Sequence, residues 1–434
     1  MIKRYSKEEI TKLFTDAARY GAWLKVELAI LRARVDLGTL EKDSHDEIER
    51  RAKFDCRRIE EIEADTRHDL LSFVQCVQEE IGKDRLAKFF HESITSYDTE
   101  EPATAIIIIE AIQVIIAALQ RLCTSLKEKA VEHKYLLKIH RTHGQHAQPT
   151  TFGLELLWWL DAVDRQIEKL EDVKKDMAYS KITGGVGTYG TGLSPELEKK
   201  ALEYLGLKPA RISAQIILRD RHCRVLNELA ILASLLEHIA VNIRLYGQTE
   251  VNEVKEPFGN KQKGSSFMPH KRNNILTENA CGMATMVRGY AGMLMEKIPT
   301  WGARDIAHSS IERVIIPDAF EIANFMLCRI DGVIKGMVVN KDQMQKNLNL
   351  LKGAIFSPDA KELLMNKGVD PENAYRICQR AAFETMENGT PYKDALENDT
   401  DFPVDLKGSK ELEGIFIPEN TLKYIDETFA RFGL

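Results

Sequence analysis

The sequence predicts an all-α protein of three helical domains, the central one a bundle of long helices. Three observations predict it. Apolar residues recur at helical spacing along most of the 434 residues, and no succession of alternating apolar and polar residues marks a sheet. Several of the periodic runs also continue for about 30 residues, which as helices would span about 45 Å.

The elements follow in order. Ser6 and Glu9 have the S-x-x-E spacing of a capping box and open a first helix from Lys7 to about Leu37. Shorter helices are expected over 47–63 and 69–81. Three long ones come next, over 103–133, 151–181 and 221–254, followed by a pair over 275–295 and 311–338. From Asp342 the pattern returns to short helices, with turns at Ser357-Pro358, Asp370-Pro371 and Gly389-Thr390-Pro391. The expected domains are 1–94 (N-terminal, helical), 95–341 (the long-helix bundle) and 342–434 (a small helical domain). Three runs, Ile106–Ile109, Leu156–Leu160 and Leu229–Ala233, are apolar around more than one stripe. Such helices are buried on several sides, and a second copy of the chain is the simplest cover, so a homo-oligomer is expected. Trp158 and Trp159 are read as core residues.

Bulk properties exclude several classes. A net charge of −6 gives no reason to expect a nucleic-acid partner. Seven scattered cysteines without a C-x-x-C pair suggest neither a disulfide framework nor a zinc site. Met1–Tyr5 carries no signal-like apolar stretch, and the most lipid-like segment, Ala105–Leu119, contains Glu110 and Gln113 and is too short to span a bilayer. A cytoplasmic protein without a membrane partner is expected.

Chemistry concentrates in polar clusters between helices. Gly264-Ser265-Ser266-Phe267-Met268-Pro269-His270-Lys271-Arg272-Asn273 is the most distinctive, and Lys255–Arg272 holds five basic residues against Glu256. A Gly-Ser-Ser run lets backbone N–H groups converge on an anion, and the cations reinforce that preference. Thr66–Asp69, His91–Asp98, Arg141–Thr150 and Arg304–Arg313 are also placed at helix boundaries. Helix N-termini carry unpaired N–H groups, so Thr95, Ser96 and Thr142 are suited to hold anions. Several arginines with boundary histidines suggest a small polyanionic substrate and proton transfer. No H-E-x-x-H, G-x-G-x-x-G, Walker loop or G-x-S-x-G occurs, which argues against zinc-protease, dinucleotide, P-loop and esterase chemistry.

The G-S-S-x-M-P-x-K-x-N loop resembles the signature of the fumarase/aspartase superfamily. Arg4-Tyr5-Ser6, Thr66-Arg67-His68-Asp69, Arg141-Thr142-His143-Gly144, Gln215 with Arg219-Asp220-Arg221-His222, and Arg304 through Arg313 narrow the resemblance to the adenylosuccinate lyase family over nearly the whole chain. The resemblance implies a homotetrameric lyase acting on a small nucleotide, without metal or organic cofactor. It implies Ser265 as general base, and His143 as general acid assisted by His68. Lys271 and Asn273 would bind the carboxylates, with Thr95 and Ser96 at the same end. Arg4, Tyr5, Arg304, Ser309 and Arg313 would hold the phosphate or its neighbours. Arg67, Asp69, His91 and Gln215 would complete the binding shell. Loop 258–274 is expected to be mobile and to close over the substrate.

Some residues depart from the family's pattern. Tyr97 stands where a small hydroxyl residue is usual, Asn274 replaces a proline, and Glu101-Pro102 replaces Asp-Thr. These keep two alternatives open: a lyase for another succinyl-type substrate, and an inactive helical homologue.

Overall fold

A computed structural model of the chain describes residues 1–82, 85–259 and 261–434. Helices α1 (Glu8–Thr11) and α2 (Asp16–Asp36) stand where one helix over 7–37 was expected. The break falls at Thr15, whose hydroxyl caps α2 by accepting the Ala18 N–H at 3.2 Å. The Ser6–Glu9 capping box does not form, because distant partners take both side chains. Ser6 donates to Glu321 at 2.8 Å, and Glu9 accepts from Asn324 at 2.9 Å. α3 (Lys42–Arg51) and α4 (Cys56–Thr66) replace the single helix expected over 47–63, while α5 (Asp69–Ile81) matches.

α6 (Ser96–Glu132) leads to an antiparallel hairpin, β1 (Leu137–Thr142) and β2 (Gln145–Thr151), and then to α7 (Phe152–Met177). The two-residue strands β3 (Tyr179–Ser180) and β4 (Lys208–Pro209) pair in parallel on either side of α8 (Pro195–Tyr204) in the sequence. α9 (Asp220–Tyr246) is followed by β5 (Val254–Lys255), α10 (Ile275–Met295), α11 (Ala307–Gly336) and β6 (Val338–Val339), with β5 and β6 antiparallel. The chain ends in α12 (Lys341–Leu348), α13 (Ser357–Asn366), α14 (Pro371–Asn388), α15 (Tyr392–Asn398), α16 (Lys410–Ile415) and α17 (Ile425–Ala430). All five long helices are present. α6 starts seven residues earlier than the periodicity suggested and carries Pro102 in its second turn.

Two compact units are formed, one from residues 1–121, 163–238 and 279–329, the other from 122–162, 239–278 and 330–434. In the first, Phe73 is fully buried and meets Trp23 edge-on, with ring centroids 5.5 Å apart. Ile108, Ile112, Ile115 and Leu119 of α6 are buried too. By length and composition α6 and α9 could cross a membrane, but the most apolar stretch of α6 lies largely inside the protein. In the second unit, Leu364, Ile377, Tyr392, Leu396 and Leu412 form one core. Ile139 of the hairpin packs with Leu348, Ile355 and Phe356 in another.

The paired tryptophans split. Trp159 is a core residue, but Trp158, expected beside it in the core, is 53 % exposed. Ile231 on α9, Met293 on α10 and Val314 on α11 are similarly exposed. The long helices therefore carry apolar residues outside the core of their own unit.

Candidate active site

In the first unit the site is built at the start of α6. Asp98, three residues after Thr95, reaches back to accept the Thr95 N–H at 2.9 Å, half of a capping box. The same carboxylate accepts from the Thr183 and Gly184 N–H groups at 2.9 and 3.1 Å and pairs with Lys181 at 2.7 Å. Asp98 and Lys181 are both fully buried, so the Thr95-Ser96 turn is fixed from below. Gln215 then donates to the Thr95 hydroxyl at 3.4 Å, and Arg304 donates to the Gln215 side-chain oxygen at 3.3 Å. Thr95, Gln215 and Arg304 thus form one chain of contacts.

The Thr66–Asp69 segment joins α4 to α5. Arg67 adopts a left-handed conformation with φ of 56°, and its N–H closes α4 on the Glu63 carbonyl. His68 caps α5, its Nδ1 accepting the Leu71 N–H at 3.4 Å. Asp69 pairs with Arg313. Burial would raise the Asp69 carboxyl, but the Arg313 charge outweighs it and holds the group below the usual carboxylate range. His91 touches a different partner, Glu27, at 2.7 Å. Burial opposes protonation of His91, and the Glu27 carboxylate overcomes it and raises the imidazole. Arg4 is exposed, and Tyr5 lies edge-on to Phe325 at 5.1 Å.

A cavity of about 210 Å³ lies beside these groups, lined among others by Tyr97, Glu100, Arg219, Ser309, Glu312 and Arg313. Arg219 is clamped by Glu101 at 2.6 Å and Glu312 at 2.8 Å. Burial pushes the Glu312 carboxyl up to about 7, and burial with the Asp69 charge does the same to Glu100.

In the second unit His143 is not at a helix boundary. It occupies the tip of the β1–β2 hairpin, between the facing residues Thr142 and Gln145. His143 and Gly144 both have positive φ, 55° and 76°, as a type I′ turn requires. Thr142 is accordingly the end of a strand, and no helix terminus stands there to lend it an anion site. The stem is anchored by Arg141, which donates to buried Glu253 at 2.7 and 3.0 Å. Asn347 donates to the same carboxylate at 2.7 Å.

The signature loop lies in this unit as well. Ser265 Oγ accepts the Met268 N–H at 2.9 Å and the Phe267 N–H at 3.3 Å. These donors come after the serine, rather than from the Gly264–Ser266 stretch where the sequence suggested them. Gly264 is required by close approach: a Cβ there would sit 2.1 Å from the Lys271 carbonyl oxygen. Asn273 donates to the Gly264 carbonyl at 3.4 Å, closing the loop on itself. Glu256 accepts from the N–H groups of Leu276 and Thr277, which caps α10 and occupies the loop's one acid. Lys271, Arg272 and Asn273 line an open cleft of about 1370 Å³ with Lys255 and His270. Asn260, within the expected mobile loop 258–274, lies outside the described residues. Among the described residues no hydrogen bond links His143 to Ser265, Lys271 or Asn273.

Residues 3–289 match a family model described as lyase, and residues 353–432 one described as adenylosuccinate lyase C-terminus. The chain is 40 % identical over 432 residues to adenylosuccinate lyase from Thermotoga maritima, covering 100 % of this chain and 99 % of that one. It is also 40 % identical over 434 residues to adenylosuccinate lyase from Bacillus subtilis, covering all of both. The chain belongs to the adenylosuccinate lyase family. Solved structures agree on the fold. A fumarate lyase from Mesorhizobium sp. BNC1 superposes with a TM-score of 0.87 at 22 % identity, covering 98 % of this chain and 97 % of that one. A 3-carboxy-cis,cis-muconate lactonizing enzyme from Pseudomonas putida gives 0.87 at 23 %, covering 98 % and 96 %. For a member of the adenylosuccinate lyase family, the residues that sequence reasoning passed over are Asp98, Lys181 and Glu253. The T-x-x-D spacing of Thr95 and Asp98 was a readable signal for the first. Lys181 and Glu253 meet their partners across 83 and 112 residues, and no local pattern announces them.

Proposed function

We propose that this chain is an enzyme that releases fumarate from adenylosuccinate, leaving AMP, by anti β-elimination. It acts in the same way on the succinyl-aminoimidazole-carboxamide ribotide of purine synthesis. The observation that carries the reading is the Ser265 hydroxyl, which accepts two backbone N–H groups in a loop that also presents Lys271. A serine is a poor base until its alkoxide is stabilised, and preorganised donors of this kind are each worth roughly 3 kcal/mol.

In this reading Ser265 removes the proton from the carbon beside a carboxylate. Lys271 and Asn273, with Thr95 and Ser96, share the second negative charge that builds on that carboxylate. The carbon–nitrogen bond then breaks, the electron pair goes to nitrogen, and His143 supplies its proton while His68 assists. His143 suits the acid role because an imidazole nitrogen can carry a proton and hand it to a leaving group within hydrogen-bond reach. Arg304, Ser309 and Arg313 hold the phosphate end together with Arg4 and Tyr5. Arg67, Asp69, His91 and Gln215 support the remaining contacts. No metal or organic cofactor is assigned.

We further assign a cytoplasmic homotetramer, in which the His68 segment, the His143 hairpin and the signature loop that build one site come from different protomers. Exposed Ile231, Met293 and Val314 on the long helices support assembly.

Purified protein should release fumarate from adenylosuccinate and not from argininosuccinate. Ser265→Ala should lose orders of magnitude in kcat while its assembly is unchanged. Fumarate from argininosuccinate alone would move the assignment to another succinyl substrate, and an inert wild type would favour the structural homologue.

A further inference from the structure

Three arginines meet near the start of α6, and they are held in different ways. Arg219 is buried between two carboxylates, Glu101 and Glu312. Arg313 is paired with Asp69. Arg304 has no carboxylate partner among the described residues. Its guanidinium lies 4.0 Å from the centroid of the Tyr97 ring and donates to the neutral amide of Gln215 at 3.3 Å. An arginine held by a π face and an amide makes no direct ion pair, so more of its donors stay open to a ligand than in a carboxylate-paired arginine.

We propose that Tyr97 is a positioning residue for nucleotide binding, an uncharged platform that aims the Arg304 guanidinium at the anionic end of the substrate. This rests on the function proposed above and adds to it a residue that makes no contact with the reacting atoms.

Tyr97 is well built for the task. It is 4 % exposed, and its hydroxyl lies 3.0 Å from His308 Nε2, with the two rings edge-to-face at 5.7 Å. Burial, followed by the charges of Arg219 and Arg304, pushes the imidazole down to about 4, so His308 is neutral and accepts the phenol's proton-donor bond. Burial likewise pushes the Tyr97 hydroxyl up to about 12, which keeps it protonated. Arg219 also stands near the ring, 5.9 Å from the centroid, and is itself held by Glu101 and Glu312. The ring is therefore fixed at its hydroxyl by His308 and by its burial, with the clamped Arg219 nearby. A small side chain at position 97 would leave Arg304 with only its hydrogen bond to Gln215.

The test measures fumarate release and AMP binding in the full-length assembled protein. Tyr97→Leu removes the π face and should raise KM for adenylosuccinate and the AMP dissociation constant together, by about tenfold, with kcat changed less than about threefold. Tyr97→Phe keeps the ring and should recover most of that loss. In an Arg304→Ala background, Tyr97→Leu should have little further effect on AMP binding, which separates positioning from general loosening of the fold. Wild-type KM and AMP affinity in Tyr97→Leu would overturn the inference. So would a Tyr97→Phe variant as impaired as Tyr97→Leu, since the hydroxyl and not the ring would then matter. A wild type that releases no fumarate overturns the functional reading instead. The Tyr97 inference is then judged on the ratio of AMP dissociation constants, and equal constants reject it.

Discussion

Gly264→Ala is a small change with a large expected consequence. The added methyl would stand 2.1 Å from the Lys271 carbonyl oxygen and 3.1 Å from its carbonyl carbon. A Cβ does not approach another heavy atom closer than about 3.0 Å, so one side of the loop must retreat by about 1 Å. Either Ser265 then moves away from the Met268 N–H that it now meets at 2.9 Å, or Lys271 is displaced from the cleft it lines. A misplacement of about 1 Å in a reacting group costs on the order of 10²-fold in rate, about 2.7 kcal/mol of barrier. Stability should change little, because the loop is largely exposed and can shift without opening the core. The assay is kcat/KM for fumarate release alongside a thermal melt. Gly259→Ala is the control, since its nearest neighbour, Gln262 Cβ, would be an ordinary 3.9 Å away. A Gly264→Ala enzyme with wild-type kcat/KM, or a Gly259→Ala enzyme equally impaired, would refute the reasoning.

Three further outcomes are expected. Asp98→Ala strands buried Lys181 and orphans three backbone N–H groups, so stability measured by urea unfolding should fall by about 3–5 kcal/mol, with partial recovery in the Asp98→Ala/Lys181→Met double variant. Glu100 is pushed from an ordinary 4.5 up to about 7, so the folded state binds its proton more tightly than the unfolded chain does. The resulting penalty is absent below pH 4.5, grows as pH rises and is complete above about 7. Glu100→Gln should therefore be neutral in acid and stabilise by up to about 3 kcal/mol at pH 8, and a difference independent of pH would contradict this. His143→Asn should lower kcat by about 10²–10⁴ while leaving the thermal midpoint unchanged or slightly higher, because asparagine tolerates the left-handed turn position better than histidine.

The helical framework was readable because burial repeats along a helix at a fixed interval. α10 and α5 begin and end where apolar spacing and boundary residues place them. The signature loop was equally readable, since its chemistry is contiguous from Gly264 to Asn273. What stayed hidden depends on partners far away in sequence. Ser6 and Glu9 look like a capping box until Glu321 and Asn324 claim their side chains. The role of Tyr97 becomes visible only with His308 and Arg304 beside it, more than 200 residues on. The hairpin escaped for a local reason: β2 contains Pro149 and a register shift, so its alternation is broken, and its turn is His-Gly rather than Asn-Gly. Trp158 and Trp159 are adjacent on a helix and so face directions about 100° apart, and one core could not take both.

The two-residue turn that carries His143 also limits how this part of the chain can vary. Loops between helices tolerate added residues, because the flanking helices absorb the slack. A hairpin closed by a left-handed pair has no slack: one residue inserted or deleted beside position 143 would change the turn class and swing the imidazole to the opposite side of the ribbon. Variants with altered length at this tip should therefore fold and yet be catalytically dead, a signature that separates them from variants shortened elsewhere on the surface.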